Sequence, residues 1–249
     1  MKGFIKILLL VISVLAFSLQ TADAQIKSTQ LKFSRVKKAY DSKFENLKKE
    51  IVKAGYELNT FEIYLRVFKE EKQLQVWMKN KNDTKFKFFK SYAICANSGD
   101  LGPKRQEGDG QVPEGFYEIE SFNPASSYHL SMKVNYPNAS DRIKAKGRTG
   151  GDIMIHGECV TIGCVPIEND PIEELYILCL EAKDRKGKLR VDMFPCKLTE
   201  ENMKRLEKDH SDEKYNFWKN IKSGYDHFEK TNTIPKYSID NAGNYKLIN

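Results

Sequence analysis

The sequence predicts one mainly β domain of the α+β class, with helical additions at both ends. Several short runs between Phe61 and Phe194 combine β-branched and aromatic residues with period-two alternation, as half-buried strands require. Before Phe61 and after Cys196 the chain is rich in lysine and glutamate, with apolar residues at helical spacing. A length of 249 residues suits one domain with such additions and argues against two full-sized ones.

The first element is a targeting segment. Lys2 and Lys6 precede an apolar stretch from Ile7 to Leu19, and Ala22-Asp23-Ala24 offers small residues before Gln25. This is the pattern of a cleaved signal peptide over residues 1–24. The stretch falls short of the roughly 20 residues that span a bilayer, and no cysteine stands at the cleavage point to take lipid. The expected product is exported, periplasmic or cell-wall associated, without stable membrane insertion once the signal is removed. The formal charge is +7, and loss of Lys2, Lys6 and Asp23 with the signal leaves +6. That suits an anionic cell wall. Charge alone would equally suit nucleic acid, but export argues against such a partner.

Residues 25–57 form the N-terminal helical segment: Leu31, Val36, Tyr40, Phe44, Leu47 and Ile51 recur at mainly helical spacing from Thr29 to Ala54, and Gly55 ends the pattern. A β-rich domain follows over 58–197. Phe61–Phe68 and Leu74–Met78 read as two strands joined by a Lys-Glu-Glu-Lys turn. Further strands are expected at Phe86–Ala96, Phe116–Glu120, Tyr128–Val134, Asp152–His156 and Leu189–Phe194. One helix interrupts them, with Asp170 as N-cap, Pro171 at the first helical position and Glu173 completing the cap. Residues 198–249 form a helical extension and tail. Thr199 and Ser211 cap two helices, the second bearing a docking face of Phe217, Trp218, Ile221, Tyr225 and Phe228, and the tail from Thr231 reads as extended.

Chemistry concentrates in Asp152–Asp170, where an apolar strand ends in His156 and a glycine-containing turn delivers Cys164. A free thiol, with a pKa of about 8.5, is only slightly ionised at neutral pH, so a nucleophilic cysteine needs a base nearby. His156 is the nearest candidate. Gly163 leaves room for close approach, and the backbone N–H groups of Gly163 and Cys164 are candidate oxyanion donors. Five cysteines, Cys95, Cys159, Cys164, Cys179 and Cys196, leave at least one thiol without an intramolecular partner. Cys159 is open to a disulfide with a distant cysteine or with Cys164 itself. His156, Cys159 and Cys164 also resemble part of a zinc knuckle, but no fourth ligand is evident nearby, so neither metal nor cofactor is expected.

Other signals carry less. Ser34-Arg-Val-Lys37 fits S-x-x-K but stands in a helical segment without its companion motifs. The Gly99–Gly110 stretch lacks the G-K-S/T of a phosphate loop. His129 reads as structural, and His210 and His227 carry no argument.

His156-Gly157, Thr161, Gly163 and Cys164 match the H-G and S/T-x-G-C signature of the YkuD-type L,D-transpeptidase catalytic domain, and the chain most resembles the YafK-like subgroup of that family. The likeness extends through Leu101–Gly110, Pro113–Tyr117, Asn135–Asn138 with Asp141-Arg142, and the C-terminal Phe217-Trp218 and Gly224–Asp226. It implies an L,D-transpeptidase-like β-sandwich in which Cys164 is the nucleophile and His156 the base, with the Gly157 carbonyl orienting the imidazole and Thr161 shaping the nucleophile loop. Many members carry an arginine two residues after the cysteine, where this chain has Pro166. Arg142, Arg148 and Arg105 are then the candidates to hold a substrate carboxylate.

The resemblance implies an exported peptidoglycan L,D-transpeptidase acting through a Cys thioester on stem peptides. The alternatives are a hydrolase or amidase of the same family that trims stems or releases wall-linked protein, and a wall-binding module that keeps the fold without the chemistry.

Overall fold

The computed structural model describes residues 26–58, 60–182 and 189–248. The expected signal peptide lies outside them. Eight strands form one mixed sheet: β1 (Glu62–Phe68), β2 (Gln73–Lys79), β3 (Lys87–Ala93), β4 (Gly115–Asn123), β5 (Ser131–Val134), β6 (Met154–His156), β7 (Val165–Pro166) and β8 (Arg190–Phe194). Their order is β3-β2-β1-β8-β4-β5-β6-β7, with parallel pairing at β1–β8 and β6–β7 and antiparallel pairing elsewhere.

Burial follows sequence pattern. β2 alternates strictly, with Leu74, Val76 and Met78 inward, whereas central β1 is buried on both faces from Ile63 to Phe68. The sheet curls until its two edges meet beyond the paired strands: the N–H of Cys95, just after β3, donates to the carbonyl of Pro166 in β7 at 3.0 Å. A disulfide joins Cys95 to Cys159 at the same place.

Helices complete the fold, among them α1 (Ser34–Lys53), α2 (Ala139–Ile143), α3 (Asn169–Glu181), α4 (Glu200–Asp209) and α5 (Asp212–Thr231). α1 packs on α3 and covers the largest core cluster with Val36, Ala39, Leu47 and Ile51. The start of α3 departs from the sequence reading. Glu168 is its N-cap residue, with φ +65° and no side-chain cap. The residues read as its cap are drawn into tertiary contacts instead, Asp170 to Lys43 and Glu173 to His129 Nε2 at 2.7 Å.

The C-terminal aromatic stripe forms a second core cluster: Phe217, Trp218, Ile221 and Tyr225 of α5 pack with Phe68, Phe116 and Phe194 of the sheet. Thr199 accepts a hydrogen bond from Asn202 N–H and so caps α4, while Ser211 makes no side-chain cap on α5. The tail read as extended forms a small hairpin, β9 (Tyr237–Ile239) and β10 (Tyr245–Leu247). Asp240 builds its turn by accepting from Ala242 N–H and Asn244 N–H.

A buried polar hub links these layers. Lys69, at the end of β1, donates to the carbonyls of Asp100, Gly102 and Val112 and to Glu114 Oε1 at 2.8 Å. Glu114 also accepts from Gly102 N–H and, through Oε2, from Trp218 Nε1–H. Residues 100–114 are thereby pinned between the sheet and α5. Glu114→Gln removes the charge and leaves the Lys69 ammonium buried, so it is expected to cost about 3–5 kcal/mol, read as a fall in thermal midpoint of about 2–4 °C per kcal/mol. A midpoint within 2 °C of wild type would show that water or another group satisfies Lys69.

Candidate active site

Parallel pairing of β6 and β7 builds the site. Ile155 lies opposite Val165 and His156 opposite Pro166, which sets Cys164 beside Met154. Ile155 and Val165 point into the core, so period-two alternation turns Met154, His156 and Cys164 to the other face. There the two candidate catalytic side chains share a cleft of about 510 Å³.

His156 is buried, and its Nδ1 meets the carbonyl of Gly157 at 2.5 Å. With Nδ1–H donating to that carbonyl, the neutral ring keeps its lone pair on Nε2. Burial pushes the imidazole pKa below its ordinary value, against smaller upward pulls from the Gly157 carbonyl and Glu158. The Tyr128 ring lies against the imidazole, centroids 4.8 Å apart.

The half-buried Cys164 Sγ accepts from Met154 N–H at 3.4 Å and donates to the Asp152 carbonyl at 3.6 Å. Burial raises its pKa above the ordinary thiol value, while the Met154 N–H and the Lys104 charge pull the other way. Both shifts favour the uncharged thiol and the uncharged imidazole.

The connecting turn is fixed at both ends. Gly157 N–H donates to the carbonyls of Tyr128 and Leu130, and a Cβ on Gly157 would come within 2.5 Å of Asn169 Oδ1. That oxygen accepts from Glu158 N–H. Gly163 has φ +137°, and a Cβ there would sit 3.0 Å from the Gln111 carbonyl. Only glycine meets both conditions without strain. Between them, Thr161 Oγ1 accepts from Gly163 N–H at 3.1 Å and Cys164 N–H at 2.8 Å, and donates to the Cys164 carbonyl at 2.9 Å. Because Thr161 holds both N–H groups, an oxyanion bound by them must share or displace that hydroxyl.

The arginines fare differently. Arg142 donates to the Pro137 carbonyl and is not among the cleft residues. Arg148 is largely exposed and pairs with Glu107 on the rim. Arg105 contacts Asp141 and stacks over Phe217. The lysine in the cleft wall is Lys104, buried and held by Asp109 at 2.6 Å and by the Gln106 carbonyl. Sequence reading missed Lys104 and Tyr128 as site residues. The glycine-rich block that contains Lys104 was the available signal, whereas nothing local marks Tyr128. Cys159 is bonded to Cys95, which removes its sulfur from the zinc reading and from any bridge to Cys164.

A thiol and an oriented imidazole on one wall of a cleft are the parts of a cysteine–histidine acyl-transfer site. Residues 62–193 match YkuD, the L,D-transpeptidase catalytic domain, and the chain belongs to that family. It is 38% identical over 183 residues to YafK of Escherichia coli (strain K12), whose own L,D-transpeptidase assignment is provisional, and the match covers 72% of each chain. Among solved structures it is similar to the helical cell shape determining protein Pgp2 of Campylobacter jejuni, at 18% identity and TM-score 0.45 over 78% of this chain and 80% of that one. The K307A form of Pgp2 aligns at 23% identity and TM-score 0.44, over 59% of this chain and about half, 53%, of that one.

Two measurements check the site. Alkylation of Cys164 by iodoacetamide is expected to rise with pH through a midpoint above the ordinary thiol value, since burial opposes the thiolate. A midpoint below pH 7 would mean a preformed ion pair. Thr161→Val strands two N–H groups and a carbonyl, at about 1–3 kcal/mol per unsatisfied buried group, and is expected to slow turnover where Thr161→Ser does not.

Proposed function

We propose that this protein is an exported cysteine L,D-transpeptidase acting on peptidoglycan stem peptides, with Cys164 as nucleophile and His156 as base. The observation that carries the reading is the shared face of β6 and β7, which turns the Cys164 thiol and the His156 ring into one cleft, with Nδ1 committed to Gly157. His156 Nε2 takes the Sγ proton as sulfur attacks the carbonyl of the third stem residue. The tetrahedral oxyanion is met by the N–H groups of Gly163 and Cys164, in place of or beside the Thr161 hydroxyl. Collapse breaks the amide, the imidazolium returns its proton to the departing amine of the fourth residue, and a thioester remains. An amine from a second stem, deprotonated by His156, resolves it as a crosslink.

Water resolves the same thioester as hydrolysis. The open cleft, with Ile162 88% exposed and Val160 53% exposed on the nucleophile turn, admits either acceptor. Trimming of stems or release of wall-linked protein is therefore the second reading, on the same residues.

Intact mass spectrometry of the mature protein with tetrapeptide muropeptides tests both. A thioester adduct and a crosslinked or trimmed product are expected with wild type and absent with Cys164→Ala. His156→Gln is expected to lower turnover by about 10²–10⁴-fold, the usual contribution of a positioned base. Activity that survives Cys164→Ala would overturn the mechanism. Since the base form of His156 must be free, and burial lowers its pKa, activity is expected to fall on acidification only below the ordinary histidine range near pH 6.5.

A further inference from the structure

The turn that follows His156 is held in a conformation its own sequence does not favour. Glu158 adopts φ +61°, a left-handed conformation that a non-glycine residue holds only when its surroundings enforce it. Its neighbours supply few anchors from the core, because Val160 and Ile162 stand in solvent. Thr161 holds the Cys164 end of the turn, and what ties the His156 end to the rest of the fold is a set of point attachments: Gly157 N–H to Tyr128 and Leu130, Glu158 N–H to Asn169, and the covalent bond from Cys159 to Cys95. Cys95 has a second role, since its N–H donates to Pro166. β7 is only Val165–Pro166 and is an edge strand, so this hydrogen bond is its outer attachment. Cys164 immediately precedes it. One cysteine pair therefore grips both the turn that leaves the base and the strand that delivers the thiol.

We propose that Cys95 and Cys159 are positioning residues of the active site: their disulfide clamps the His156–Cys164 turn to the end of β3 and fixes Cys164 in register with β6. Cleavage by a dithiol transfers two electrons and two protons to the sulfurs, giving two thiols, while the dithiol closes to its own disulfide. The Cys164 thiol takes no part in the exchange. The consequence is a split response. A released turn lets solvent reach Cys164, so the thiol becomes easier to ionise and alkylate, while catalysis weakens because sulfur and imidazole are no longer held in place. Misplacement of reacting groups by about 1 Å is enough for a loss of about 10²-fold.

The inference rests on the proposed function for its catalytic half only, and the test separates the two. Mature wild type and the Cys95→Ser/Cys159→Ser double variant are compared well below their thermal midpoints for site-resolved iodoacetamide alkylation against pH, and for turnover of tetrapeptide muropeptides. In the variant, Cys164 is expected to react at least threefold faster at pH 7, with its midpoint moved to lower pH, and kcat to fall about tenfold or more with a smaller change in KM. Cys179 and Cys196, buried in the core, remain unreactive in both proteins if the fold is intact. An alkylation curve that superposes on wild type, with only the thermal midpoint lowered, would make the disulfide a global brace and overturn the proposal. If wild type proves inert toward muropeptides, the proposed function fails, yet the alkylation comparison still decides the clamp. Should the variant not fold, wild type briefly treated with dithiothreitol gives the same site-resolved reading.

Discussion

Much of this architecture depends on one buried ion pair. Lys69 and Glu114 are sealed from solvent, and a lone charge in such a place would be costly. The pair is tolerated because hydrogen bonds satisfy the remaining groups: three carbonyls on the ammonium, and Gly102 N–H and Trp218 Nε1–H on the carboxylate. These partners lie on β1, on the loop before β4 and on α5. The hub therefore joins the sheet, the cleft wall and the C-terminal helix.

The cleft wall inherits its shape from that hub. Between Gly102 and Val112, Asp109 accepts from the N–H groups of Arg105, Gln106 and Gln111 and from Lys104 Nζ, folding the segment on itself. These bonds hold the Asp109 carboxyl below its usual pKa against the opposing effect of burial. The folded segment brings Lys104 into the cleft and sets the Gln111 carbonyl against Gly163. The C-terminal extension thus bears on the candidate site through Trp218 and Glu114, although none of its described residues lines the cleft.

Electrostatics at the site are governed mainly by desolvation. Burial raises the thiol pKa and lowers that of the imidazole, so both shifts favour the neutral pair. A cysteine that rests as a thiol is less exposed to oxidation than a standing thiolate.

Much of this was legible in the chain. Alternation in Leu74–Met78 marked β2, helical spacing marked α1 and α5, and the order His156-Gly157, Thr161, Gly163, Cys164 marked the candidate site, because these signals are local. Tertiary structure decided the rest. Glu173 looked like part of a helix cap until His129 took its carboxylate, and Arg142 looked available until it bonded the Pro137 carbonyl. Sequence alone also left open which cysteine Cys159 would meet, because the answer is set by a sheet that curls until residues 64 positions apart stand together. Lys104 and Tyr128 reach the cleft on loops whose course is set by distant partners. Local patterning set most of the segments and singled out His156 and Cys164 as the candidate pair; long-range packing and hydrogen bonding set Tyr128, Lys104 and the Cys95 bridge around it.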